Sequence, residues 1–138
     1  MFYCLAISIQ LALLKINKMK TTLKLEEAAM TAVAIYFLSI YNLGISIWLW
    51  ILLFFTPDIG MLGYIINTKV GTITYNIFHH KGIAIALAAI GFFLHNDVLV
   101  AIGILLFAHS SFDRVLGYGL KYTDSFQNTH LGKIGKEK

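Results

Sequence analysis

Long apolar runs alternate with short polar breaks along this chain. Residues 1–14 are mostly apolar and give way to Lys15, Lys18, Lys20 and Lys24. Glu26 to Ile40 reads as a first membrane helix, because an acidic start suits the positive end of a helix dipole. Tyr41-Asn42-Leu43-Gly44 then interrupts with turn residues. Ile45 to Phe55 is apolar, with Trp48 and Trp50 near its start, where an interfacial aromatic belt places them. That run rises about 16 Å as a helix, while a hydrocarbon core is about 30 Å thick. Either the helix continues past Pro57 with a kink, or Thr56-Pro57-Asp58 lies at membrane depth. Both place Asp58 close to the inner half of the bilayer.

Gly60 to Tyr64 and Asn67-Thr68-Lys69 read as connectors. Val70 to Leu94 reads as a third helix, with a split at Lys81-Gly82 as the alternative. His95-Asn96-Asp97 is a polar turn in which Asp97 is the expected N-cap. Val98 to about Gly117 is a fourth helix, ended by Gly117-Tyr118-Gly119. Leu120 to Lys138 is a polar tail. The expected fold class is all-α, a four-helix transmembrane bundle with both termini cytoplasmic.

The N-terminal charge order matters for domain limits. A signal peptide carries its positive charges before the apolar region, not after it. Met19 also offers a second start. Residues 1–18 therefore read as an N-terminal extension or surface segment, 19–132 as the four-helix integral membrane domain, and 133–138 as a basic tail.

Composition agrees with a membrane chain. It is 58% hydrophobic and 13% charged, where a soluble domain carries about 25% charge. The net charge of +4 is then a matter of topology, and no nucleic-acid partner is expected. Every Lys and Arg falls before the first helix, around the second and third, or at the end of the fourth and beyond. The two other loops, Tyr41–Gly44 and His95–Asp97, have none. Four spans with all basic residues on one side satisfy the positive-inside rule. The expected location is the cytoplasmic membrane, multi-pass, among membrane lipid. Cys4 is the lone cysteine, which excludes an intrachain disulfide and a cysteine-based zinc site.

The candidate chemistry centres on His109-Ser110-Ser111-Phe112-Asp113-Arg114, at the end of an apolar helix. Ionisable groups at such depth are costly and need partners. His109 and Asp113 share one helix face. Asp58, His79, His109 and Asp113 all fall in the cytoplasmic halves of their helices, so three helices bring them to one depth. Two imidazoles and two carboxylates are a workable site for a borderline divalent metal, zinc first. Asn76 is a neutral ligand or a hydrogen-bonding support, Arg114 a contact for lipid phosphate or the tail, and His130 a tail residue able to fold back. Lys81 is expected to snorkel or to pair with Asp113 or Asp58. No nucleophile elbow, phosphate loop or dinucleotide fingerprint is present.

Several motifs carry a resemblance. Thr56-Pro57-Asp58-Ile59-Gly60-Met61-Leu62-Gly63-Tyr64 and Tyr75-Asn76 followed by His79 are two of them. Ala108-His109, Phe112-Asp113-Arg114, Gly117-Tyr118-Gly119-Leu120-Lys121-Tyr122 and Thr129-His130-Leu131-Gly132 complete the set. Together they resemble a family of small bacterial integral membrane proteins designated domain of unknown function 4260. The resemblance runs from about Leu25 to Gly132 and implies four membrane helices but no activity. A weaker likeness is to membrane-bound metal-dependent hydrolases related to zinc phospholipase C, which Asp58, His79, His109 and Asp113 match in type and order. Their second acidic residue after Pro-Asp is missing here, and their His-Arg pair is replaced by Asn76 and His79-His80.

Two functions from different classes follow as expectations. One is a metal-dependent hydrolase at the cytoplasmic face, acting on a phospho- or acyl-lipid. The other is a non-enzymatic scaffold or partner-binding subunit whose His/Asp cluster fixes helix packing. Ion conduction ranks third, since the outer helix halves lack the polar path a relay needs.

Overall fold

The computed structural model describes residues 2–135, with side chains from Ile7 onward. Met1 and residues 136–138, at the outer ends of the expected extension and tail, lie outside the described residues. The chain is 75% helical and all-α, apart from one small hairpin near its end.

Helix α1 spans Phe2–Ile40 without a break. Helix α2 spans Ile47–Phe54 and opens at Ser46, whose hydroxyl accepts from the Leu49 N–H. After Phe55 the chain tightens into a 3-10 helix, Thr56–Ile65. Pro57 sits in its first turn, where a missing N–H leaves no bond unmade. Of the two readings of Pro57, the helical continuation is the one found. The Gly60–Tyr64 connector is corrected: it is helical and lies directly on the next helix. A Cβ on Gly60 would stand 3.1 Å from Tyr75 Cα, tight enough to push the two helices apart slightly. The Thr74 hydroxyl donates to the Gly60 carbonyl at 2.6 Å across the same contact.

Helix α3, Thr68–His79, is capped by Asn67, and helix α4 spans Lys81–Phe93. The two axes bend by 48°, so the expected single helix from Val70 to Leu94 is corrected to a broken pair. His80 makes the break. Its backbone is extended, and its Nδ1 accepts from Ile83 N–H at 3.3 Å to start α4. Gly82 gives the His80 ring room, because a Cβ there would lie 2.9 Å from it.

Helix α5, Asp97–Leu116, is the hub, packing against α1, α2, α3 and α4. Asn96 caps it by accepting from Leu99 N–H at 3.1 Å. That corrects the Asp97 cap: Asn96 holds the extended backbone a cap requires, and Asp97 lies in the first turn. Gly103 brings α5 close to Ala84 and Ala88 of α4. Gly117 ends α5 with φ +97, the left-handed conformation that favours glycine. The core is Ala34, Leu38, Leu105 and Ala108, with Trp50, Leu53, Phe54, Ile104 and Phe107 against it. Strands β1, Asn128–Thr129, and β2, Gly132–Lys133, form an antiparallel hairpin in the tail.

Two helical stretches, Ile47–Ile65 and Asp97–Leu116, are long and apolar enough to cross a membrane. The bent α3–α4 pair makes a third if it is one span. The outer surface fits a bilayer: Ile65, Phe93 and Trp48 are each more than three-quarters exposed, at 81%, 79% and 78%. A soluble monomer rarely leaves so many large apolar side chains exposed.

Candidate metal centre

Four ligand-type side chains meet where α3, α5 and the 3-10 helix touch. His79 closes the last turn of α3, Asp58 lies in the first turn of the 3-10 helix, and His109 and Asp113 stack one turn apart on α5. One ligand atom from each lies within 4.8 Å of every other. His79 Nε2 stands 3.1 Å from His109 Nε2. Asp58 Oδ1 is 3.5 Å from each of these nitrogens. Asp113 Oδ2 is 3.3 Å from His79 Nε2, and its Oδ1 is 3.8 Å from His109 Nε2. A tetrahedral ion ligated at about 2.0–2.2 Å separates its ligand atoms by about 3.3–3.6 Å. The separations that involve the two imidazoles, 3.1–3.8 Å, lie around that range, with Asp113 reaching the two rings through different oxygens.

Three further observations suit a cation. His79 Nδ1 is 2.9 Å from the Tyr75 carbonyl, a bond that requires the proton on Nδ1 and leaves the Nε2 lone pair facing the cluster. Asp58 Oδ1 is buried and has no hydrogen-bond partner, though it faces two imidazole nitrogens. Two carboxylates with two neutral imidazoles also carry the charge that a divalent ion cancels. The centre is not sealed: the Asp58 side chain is 37% exposed, whereas His79 and His109 are buried. Phe54 packs edge-on against His109 at 5.4 Å between centroids.

Tyr75 carries more than the sequence suggested. It stacks on His79 with centroids 3.8 Å apart and donates its hydroxyl to Asp113 Oδ2 at 2.8 Å. It thereby orients one imidazole and one carboxylate at once. The available signal was that Tyr75 and His79 share a face of α3.

The remaining candidates go elsewhere. Asn76 does not reach the cluster. Its amide brackets the Lys121 backbone, donating to the Lys121 carbonyl at 2.9 Å and accepting from its N–H at 2.8 Å. His130 folds back, but onto Leu120, whose N–H it accepts at Nδ1 at 2.8 Å. Arg114 lies 3.7 Å from Glu27 of α1 rather than on the tail. Lys81 also pairs with Glu27, not with Asp113 or Asp58. His95 is a left-handed turn residue.

The tail forms a roof over Tyr75. Thr72 donates to the Tyr122 carbonyl at 3.0 Å beside the Asn76 bracket. Lys121 Nζ is buried without a hydrogen-bond partner. It lies 3.8 Å from the Phe126 ring centroid, 4.7 Å from that of Tyr75 and 5.9 Å from that of Tyr118. Burial pushes the Lys121 pKa down from the ordinary lysine value, against the pull of Asp113 and Asp58. Ring faces are partners for a cation that has lost its water.

The family described as Domain of unknown function (DUF4260) matches residues 20–134. No curated protein and no solved structure matches the chain, and nothing in the comparisons supports the likeness to hydrolases related to zinc phospholipase C.

Proposed function

Because the chain belongs to the family described as Domain of unknown function (DUF4260), its activity has to be read from its site, and we propose a divalent-metal centre serving hydrolysis at a membrane surface. The observation that carries this reading is the buried, unpartnered Asp58 Oδ1 facing His79 Nε2 and His109 Nε2 at 3.5 Å. Asp58, His79, His109 and Asp113 are the ligands, and zinc is the first metal by ligand type. A divalent ion there would supply Lewis acidity and, with a fifth position on the exposed Asp58 side beyond the four ligands, a water that deprotonates near neutral pH to a hydroxide able to attack an ester. The protein holds the His79 imidazole in one tautomer through the Tyr75 carbonyl, fixes Asp113 through the Tyr75 hydroxyl, and leaves the Asp58 side open for a substrate. With α1 counted as a span beside Ile47–Ile65, the α3–α4 pair and Asp97–Leu116, four spans and cytoplasmic termini would put that open side at the inner leaflet, where phospho- and acyl-lipids are at hand.

A second reading has its own observation. At 3.1 Å, an Nε2–H of His109 is able to donate to His79 Nε2 without any ion. The cluster is then a packing device in a scaffold or partner-binding subunit.

Elemental analysis of the gently purified chain, with thermal unfolding with and without chelator, separates the two. The metal reading expects about one equivalent of zinc or manganese, a lower melting temperature with chelator, and neither feature in His109→Ala or Asp113→Asn. Wild-type protein that is metal-free, does not rebind either ion and ignores chelator leaves the packing reading.

A further inference from the structure

A second cluster of charge lies on α5 beside the centre, at Arg114. There Arg114 and Lys81 share one carboxylate, Glu27. The Arg114 guanidinium has no other hydrogen-bond or ion-pair partner among the described residues, although its side chain is only 16% exposed. Five N–H donors against a single 3.7 Å contact are far from satisfied. Lys81 also opens α4, so the positive end of that helix dipole adds to the local field. Lys20 and Lys24 stand on the Glu27 face of α1, and exposed Glu26 is the other carboxylate nearby. With exposed Lys20 and Lys24 of α1 counted, cations outnumber carboxylates here four to two.

This charged end lies beside an apolar cleft, whose one charged lining residue is Glu26. Helices α1 and α4 both pack along α5 but have no extensive contact with each other. The cleft between them holds about 660 Å³. Ala29, Val33, Phe37, Ile85, Ala89 and Ile104 are among its walls. Met30 and Phe107 line it as well, and Lys81 Nζ lies 3.3 Å from Met30 Sδ and 5.2 Å from the Phe107 ring centroid. The lysine head therefore sits at the cleft itself. The lining on α1 runs from Glu26 to Phe37, about 16 Å of helix. That is about one leaflet of hydrocarbon, half of about 30 Å.

We propose that this cleft holds an acyl chain of an anionic phospholipid, with the lipid phosphate bound by Arg114 and Lys81. The length fits one chain in one leaflet, and the charge lies at the end where a headgroup would be. Basic pockets between membrane helices select anionic headgroups by this combination. The site is separate from the metal ligands and does not depend on the hydrolase reading.

Native mass spectrometry tests it. The full chain is exchanged with equal amounts of phosphatidylglycerol and phosphatidylcholine of matched acyl chains, and retained lipid is counted. Phosphatidylglycerol should be kept about fivefold over phosphatidylcholine or better. Arg114→Gln should bring the ratio close to one, with Lys81 still paired to Glu27. Ala89→Trp, which fills the cleft from an exposed wall, should lower retention of both lipids. Equal retention by the wild type would overturn the proposal. So would an unchanged ratio in folded Arg114→Gln, unchanged retention in Ala89→Trp, or displacement of the lipid by inorganic phosphate alone at millimolar concentration. If Arg114→Gln does not fold, the wild-type ratio and Ala89→Trp still decide.

Discussion

Tyr75 joins three otherwise separate features. Its ring lies on His79, its hydroxyl on Asp113, and the Lys121 ammonium stands 4.7 Å from its centroid. Partners of metal ligands set ligand orientation and affinity, and their loss typically costs about 10–100-fold in metal binding. Tyr75→Phe keeps the stack and removes only the bond to Asp113. Zinc affinity, measured by competition with a chromophoric chelator, should fall by about that factor while helicity is unchanged. Equal affinity would mean that the hydroxyl only fills space. At this scale the sequence was legible where the relation is local or chemical. His109 and Asp113 share a face by spacing, and Asp58 and His79 join them by residue type and membrane depth. Asn76 and Lys81 were assigned to other partners than they have. Their partners are Lys121 and Glu27, distant in sequence, and a polar side chain states its need for a partner without saying which one it meets.

The 3-10 helix is the element that delivers Asp58, and its seat on α3 depends on hydrogen in place of side chains. A Cβ on Gly63 would stand 2.9 Å from Gly71 Cα and 3.0 Å from the Val70 carbonyl oxygen, both backbone atoms that cannot swing away. Forcing extra volume into a packed contact costs about 1–3 kcal/mol. Gly63→Ala should therefore lower the melting temperature and reduce metal retention together, because the element carrying one ligand is pushed from the element carrying another. Leu62→Ala, on the 57%-exposed side of the same turn, is the control and should leave retention intact. Retention unchanged in Gly63→Ala would show that Asp58 is not needed. In sequence these glycines looked like a connector, because Gly is the usual mark of a turn. Close backbone approach leaves the same mark, and only the neighbouring helix distinguishes the two. The break at His80 was visible as an alternative through Gly82, but the capping imidazole that makes it was not.

For the whole molecule, hydropathy told the class: a membrane chain built of helices. The number of spans and their direction rest on charge. With every Lys and Arg assigned to one side, a C-terminal green fluorescent protein should glow and a C-terminal alkaline phosphatase should stay inactive. An active phosphatase would reverse the orientation and move the open side of the centre to the other leaflet.

The central position of α5 also bears on how the protein is made. Among the described residues α5 is the last membrane-length helix in chain order, yet it is the one the other helices pack against. Until it is threaded into the bilayer, Asp58 and His79 have been synthesised without His109 and Asp113, and Asn76 waits for Lys121. A nascent chain halted before α5 thus exposes polar groups to lipid, a flaw that membrane proteases are suited to notice. Assembly in this protein is consequently settled by α5 and the residues that follow it rather than by the helices that enter first.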